Sequence, residues 1–225
     1  MNIFVTGANR GIGLEFVRQL TTRGETVLAS CRHPEKANDL KSLLSEGWII
    51  PIDVTIQDSI VQGAKVVRKK FNRIDLLINN AGVMGERGNP DIPDWDIIMS
   101  TFLTNAAGPV FVTKYLKTLL KKGSKVVNIS TLMGSIEDNS SGGYYAYRMS
   151  KAALNMASKN LYHELGVMGV TVLTFHPGWV RTDMGGSGAN LSVETSVSEM
   201  LNVIESSGPE KSGTFLRFDG ERLPW

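Results

Sequence analysis

The feature that most restricts this chain lies near its start. An apolar run over residues 3–6 leads into Thr6-Gly7-Ala8-Asn9-Arg10-Gly11-Ile12-Gly13, and a helical pattern follows at once. The first N–H groups of a helix have no partner within it, so its N-terminus attracts anions, phosphates above all. Glycine removes the side chains that would block close approach. Gly7 allows the tight turn, Gly11 lets a pyrophosphate come near, and Gly13 lets the helix pack on the strand. A glycine triplet alone is a weak signal, and a turn without a ligand can look the same. Its position between a first strand and a first helix raises its value.

The rest of the chain repeats the strand-then-helix pattern. Short apolar runs at 26–31, 48–52, 76–79, 125–130, 171–175 and 214–217 carry little polar alternation, as strands covered on both faces do. Amphipathic stretches at 12–23, 34–45, 57–71, 92–121, 144–166 and 192–206 read as helices. Alternation of this kind implies right-handed crossovers. The expected fold is α/β: a single-domain, Rossmann-like, doubly wound parallel sheet of about seven strands with helices on both faces. With 42% apolar residues in 225, one full-sized core can be buried, so residues 1–225 are expected to form one domain. The Gly/Ser-rich stretches at 139–143 and 185–188 read as loops within it.

Charge and composition narrow the function classes. A formal net charge of +2 calls for neither nucleic acid nor an anionic membrane as partner. Arg68, Lys69 and Lys70 form a short basic cluster that reads as the end of a solvated helix. The single Cys31 forbids an intrachain disulfide, which fits a reducing compartment. No signal-peptide pattern or membrane-length apolar run is visible, so a soluble cytoplasmic protein is expected. His33, His163 and His176 lack metal-ligand spacing. His176 reads as a satisfied strand-end histidine, although it stands close enough to Pro177 to touch a pocket.

The charge next to the glycine loop bears on the ligand. A site that prefers NAD carries an acidic residue ~20 positions after the glycines, where it binds the ribose hydroxyls. Here that region reads Ala29-Ser30-Cys31-Arg32, with no carboxylate, and Arg10 lies inside the loop. Two guanidinium groups suit a 2′-phosphate, which favours NADP(H). An Arg32 that is only a solvated charge would leave the preference open.

Further segments combine with this loop: Asp53-Val54, Asn79-Asn80-Ala81-Gly82, Asn105, Asn128-Ile129-Ser130-Thr131, Tyr147-Arg148-Met149-Ser150-Lys151 and Pro177-Gly178-Trp179-Val180-Arg181-Thr182. In this order the set resembles the short-chain dehydrogenase/reductase family over essentially the whole chain. The stretches 142–151 and 176–186, and the ending Phe218-Asp219-Gly220 to Pro224-Trp225, look like the branch of Sniffer-like carbonyl reductases and C-factor. The resemblance implies a sheet order of 3-2-1-4-5-6-7. It implies that Gly7, Asn9, Arg10, Gly11, Ile12, Gly13 and Arg32 hold the cofactor. Asp53 and Val54 would contact the adenine, and Asn80, Ala81 and Gly82 would line the cofactor. Pro177, Gly178, Val180 and Thr182 would hold the nicotinamide end. A homo-oligomer, dimer or tetramer, is also implied.

Tyr147 and Lys151 are four apart on an expected helix and so share a face. A neighbouring ammonium and the positive nicotinamide ring favour the phenolate, so the Tyr147 pKa is expected below its usual ~10. Such a tyrosine can give a proton to a carbonyl oxygen as hydride arrives, or take one in reverse. In the family the lysine also holds the nicotinamide ribose. Tyr144 and Tyr145 lack the four-residue spacing and read as packing or pocket rim. The family usually places a serine after the fifth strand to bond the substrate oxygen. Alignment through Gly134 puts Thr131 there, with Ser130 as the fallback. The family's matching asparagine, here Asn105, kinks its helix and holds a water on the lysine; a simple helix break near Pro109 would look alike. The segment 185–188 reads as a short mobile flap over an open pocket, with Met133, Met184 and Trp179 as lining or core residues. The expected activity is NADPH-dependent reduction of a small aldehyde or ketone. A signalling protein with little turnover, or an alcohol dehydrogenase, are the alternatives.

Overall fold

A computed structural model describes residues 1–85 and 92–225. Seven strands form one all-parallel sheet. They are β1 (Asn2–Thr6), β2 (Thr26–Cys31), β3 (Ile49–Pro51), β4 (Ile74–Asn79), β5 (Leu120–Ile129), β6 (Thr171–His176) and β7 (Thr214–Arg217). Their order is β3-β2-β1-β4-β5-β6-β7, the doubly wound arrangement expected. Strand order reverses between β1 and β4, and the crevice beyond their carboxyl ends is where ligands of such sheets bind.

The helices are α1 (Gly11–Thr22), α2 (Asn38–Lys41), α3 (Gln57–Lys70), α4 (Trp95–Phe102), α5 (Gly108–Leu116), α6 (Tyr145–Gly166) and α7 (Val193–Ser206). Apolar residues pointing to either side of each strand divide the core in two. Phe16, Leu20, Val197 and Leu201 from α1 and α7 pack with Val5, Leu173 and Phe175 on one face. Ile60, Val67, Val112 and Leu161 from α3, α5 and α6 pack with Phe4, Leu77 and Val172 on the other. A polar seam crosses this second face. Asn79 donates to Thr113 at 3.1 Å and to Asn128 at 2.8 Å, and Asn128 donates to Ser158 at 2.9 Å. Because these groups are buried, their pairing fixes how β4, β5, α5 and α6 sit together.

Two helical expectations are corrected. Residues 34–45 contain only a 3-10 turn at Pro34–Lys36 and the four-residue α2. Of this stretch only Ala37 and Leu40 are buried, too narrow an apolar face to stabilise a longer helix. The stretch 92–121 is not one helix either. After α4 it widens into a π turn, Leu103–Ala107, resumes as α5, tightens into a 3-10 turn at Lys117–Leu119, and enters β5 at Leu120. Pro109 lacks the N–H that an α-helix would aim at the carbonyl four residues back, so the turn before it is the place for an irregularity. Among the described residues, no helix is long and apolar enough to cross a membrane.

Candidate active site

The glycine loop leaves β1 at Thr6 and becomes α1 at Gly11. Gly7 takes φ +64°, and a Cβ there would lie 2.6 Å from Ala81 Cα. A Cβ on Gly13 would lie 2.3 Å from Gly7 O and 2.4 Å from Asn80 Nδ2. The glycines therefore let loop, helix and the end of β4 approach closely. Thr6, absent from the expected site, closes this joint: its Oγ1 accepts from Asn80 N at 3.1 Å and Ala81 N at 3.2 Å. Asn80 Nδ2 donates to the carbonyls of Thr6 and Gly7, both at 3.0 Å. Ile12 packs on the first core cluster, and Asn9 is exposed.

The N-terminus of α1 has no side-chain cap and no acidic residue in its first turn. A Cβ on Gly11, which takes φ +55°, would meet the Thr182 side chain, with Cγ2 at 3.4 Å. Among the described residues, no carboxylate sits on the first N–H groups of this helix, and the loop fits a pyrophosphate. Arg10 lies in the loop itself, and Arg32 directly follows β2. Ala8 N donates to Ser30 O at 3.0 Å, and Arg10 and Arg32 each follow that contact by two residues. Both are exposed. Arg10 pairs with Asp183 at 3.1 Å, a partner that lay outside the expected site. Asp53 stands just past β3, half-buried, and accepts from Thr55 N and Thr55 Oγ1. Val54 packs where a Cβ on Gly108 would be, at 3.0 Å from its own Cβ.

The other wall is the segment after β6. Pro177 O accepts from Ser196 at 2.6 Å, and Gly178 takes φ +85°. Val180 is buried and bridges to Leu191, and Thr182 Oγ1 accepts from Gly185 N at 3.1 Å. The Trp179 indole donates to Gly185 O at 2.8 Å, and Gly186 N to Thr182 O at 2.8 Å. The expected flap is therefore tied to its own stem by these bonds. Trp179 and Met184 are exposed, so they are not core residues, and Met133 is half-buried.

The candidate catalytic residues converge where α6 packs on the end of β5. Tyr147 and Lys151 lie on α6, 8% and 4% exposed, and Tyr147 is hydrogen-bonded to Thr131, itself 7% exposed. Ser130, the fallback hydroxyl, instead donates to Asn155 at 2.6 Å. Lys151 Nζ donates to Ile129 O at 2.7 Å and lies 6.0 Å from the Tyr147 ring centroid. Asn105, in the π turn, accepts from Val83 N and donates to Val83 O, both at 2.8 Å, and donates to Ser150 at 3.0 Å. A Cβ on Gly82 would lie 3.3 Å from Asn105 Oδ1 and 3.7 Å from Lys151 Nζ, so these two side chains flank Gly82.

The electrostatics differ from the expectation in sign. Burial pushes Tyr147 up to about 12, with the Thr131 hydrogen bond opposing it. Burial pushes Lys151 down to about 8. The expected depression of the phenol by the ammonium does not hold in the chain itself. Both groups are desolvated, which disfavours the charged form of each, and the ammonium is turned to a backbone carbonyl. His176 is held down to about 4, first by burial and then by Arg217, with Asp138 opposing. Among the described residues its buried Nδ1 has no partner, which corrects the reading of a satisfied strand-end histidine. Tyr144 stands before α6 in the left-handed region at φ +51°, and it and Tyr145 are exposed.

The family model for short chain dehydrogenases matches residues 1–190. A 1-hydroxy-2-glutathionyl-2-methyl-3-butene dehydrogenase of Rhodococcus sp. (strain AD45) is 36% identical, with 99% of each chain covered. The C-signal of Myxococcus xanthus is 45% identical over 68% of this chain and 93% of its own. The crystal structure of NADPH-bound carbonyl reductase from chicken fatty liver is similar at a TM-score of 0.92 and 34% identity, covering 100% of this chain and 98% of that one.

Proposed function

The chain belongs to the short-chain dehydrogenase family, and from that premise we propose that it is an NADP(H)-dependent reductase that transfers hydride to the carbonyl of a small aldehyde or ketone. The observation that carries this reading is the buried cluster of Tyr147, Thr131 and Lys151, with Lys151 Nζ close to Gly82, which follows in the chain the Ala81 on which the glycine loop packs.

The loop N–H groups of α1 would hold the pyrophosphate, with Arg10 and Arg32 on the 2′-phosphate and Asp53 and Val54 beside the adenine. Asn80, Ala81, Gly82, Pro177, Gly178, Val180 and Thr182 would line the remainder. When bound, NADPH supplies the hydride. Tyr147 is protonated at neutral pH because burial holds its pKa near 12, so it enters the reaction as an acid. Its proton goes to the carbonyl oxygen, which becomes the alcohol oxygen, while the Thr131 hydroxyl bonds the same oxygen. Lys151 carries its charge at neutral pH and would orient the ribose hydroxyls. Asn105 holds Val83 and Ser150, and so fixes the floor beneath the lysine.

The test is NADPH oxidation by the purified protein over a broad panel of aldehydes and ketones, followed at 340 nm. Tyr147→Phe is expected to lower kcat by about 10²-fold or more and to leave NADPH affinity within about twofold. A protein that binds NADPH without Tyr147-dependent oxidation of it on any substrate overturns the reading. The likeness to the Myxococcus C-signal supports a second reading, a signalling protein with little turnover. That reading requires the biological role to survive Tyr147→Phe. The Rhodococcus relative is a dehydrogenase, and the same residues serve alcohol oxidation, so both directions belong in the assay.

We also propose a homo-oligomer, dimer or tetramer. Trp95, Met99 and Phe102 on α4 and Met149 and Met156 on α6 leave large apolar side chains exposed on two packed helices. Light scattering on Trp95→Glu against the wild type tests it, and an unchanged mass distribution removes this surface as the interface.

A further inference from the structure

Helix α6 holds residues 129–134 at successive turns of one face. Tyr147 bonds the Thr131 hydroxyl, and Lys151, one turn on, donates to Ile129 O at 2.7 Å. Asn155, one turn further, uses both ends of its amide. Its Oδ1 accepts from Ser130 Oγ at 2.6 Å, and its Nδ2 donates to Gly134 O at 3.1 Å. A carbonyl can only accept, so the amide orientation follows from Gly134 alone. Ser130 and Asn155 are 2% and 4% exposed. The segment lies tightly on the helix: a Cβ on Gly134 would be 2.8 Å from Lys151 Cβ and 2.9 Å from its carbonyl carbon.

Two adjacent hydroxyls, Ser130 and Thr131, stand at the end of β5, and only one is needed at the substrate oxygen. A serine hydroxyl has one proton to donate. Ser130 spends it on Asn155, which leaves the Thr131 hydroxyl as the one beside Tyr147. We propose that Asn155 is a positioning residue for the reaction: by holding the Ser130 hydroxyl and the Gly134 carbonyl together, it sets the turn between them and presents Thr131 to Tyr147. Asn155 acts through the loop and touches no reacting atom. The repeat 147, 151, 155 at helical spacing is the sequence signal for it.

This inference rests on the reductase reading above, and its test separates the two. Asn155→Ala is expected to lower kcat about tenfold, which is about 1.4 kcal/mol on the barrier, while NADPH affinity by fluorescence titration stays within about twofold. Ser130→Ala should give a similar loss, and the double variant should lose no more than either single, because both act through one contact. Asn155→Asp keeps the acceptor for Ser130 and lacks the donor for Gly134, so its kcat should fall between wild type and alanine; it carries the comparison if alanine does not fold. Amide exchange of residues 131–134 should accelerate in Asn155→Ala. A kcat within twofold of wild type, a parallel fall in NADPH affinity, or single losses that multiply in the double variant would each overturn the proposal. If the wild type shows no Tyr147-dependent turnover, the functional reading has failed, and unchanged exchange at 131–134 then overturns the positioning role independently.

Discussion

Lys151 is an ammonium buried to 4% exposure, and its effect on stability can be worked out and measured. Burial lowers its pKa from 10.5 to about 8 in the folded chain. Between these values the unfolded chain binds more protons than the folded one, so stability rises with pH through that window. Below about 8 both states are protonated and the full penalty for the buried charge is present. At pH 9.5 most of the folded lysines are neutral, while the unfolded ones are mostly charged. Integrating the two titrations gives a gain of about 2 kcal/mol at pH 9.5 relative to pH 7. For a chain of this size that is a shift in Tm of about 4–8 °C. Tyr147 works in the opposite direction: raised from 10.0 to about 12, it costs stability only as pH climbs through that range, so pH 9.5 stays largely clear of it. Lys151→Met removes the titration and keeps the side-chain length. The assay is urea unfolding of nucleotide-free wild type and Lys151→Met at pH 7 and 9.5. The wild type should gain about 2 kcal/mol on the variant between the two pH values. A difference flat to within about 0.5 kcal/mol would refute the claim that Lys151 is a desolvated ammonium.

Other perturbations address separate parts of the site. Arg10→Ala and Arg32→Ala should each weaken NADPH binding about tenfold or more while leaving NADH affinity nearly unchanged, because a charged hydrogen bond contributes about 1.5–3 kcal/mol; parallel losses for both nucleotides in fluorescence titrations would argue against a 2′-phosphate role. Thr131→Val should lower kcat by about 10²-fold or more, whereas Thr131→Ser keeps most of it, since only the hydroxyl is required; equal activities in a 340 nm assay would transfer the role to another donor. Gly13→Ala forces a methyl within 2.3 Å of Gly7 O and 2.4 Å of Asn80 Nδ2, which is itself bonded to Thr6 and Gly7. It should destabilise the fold by about 1–3 kcal/mol and abolish NADPH binding, read by thermal unfolding with and without nucleotide.

Much of this protein is legible in the chain itself. Strand-helix alternation and a glycine loop after the first strand imply the doubly wound sheet, because each element's apolar face is a local property of its residues. Tyr147 and Lys151 share a helix face for the same reason, since four residues make about one turn. A kink at Asn105 is legible through the family resemblance and through Pro109, but its form, a π turn that splits the stretch 92–121, is not. What failed at 34–45 was length: a local helical pattern does not disclose that so few of its side chains find a core to cover.

The tertiary structure decided what depends on neighbours distant in sequence. Ser130 and Thr131 are indistinguishable as donors until α6 brings Asn155 to one and Tyr147 to the other. The four-residue spacing of Tyr147 and Lys151 suggested that the ammonium lowers the phenol's pKa. Burial by several elements moved both groups toward their neutral forms, because desolvation is the sum of everything packed around a group, and no spacing along the chain encodes it.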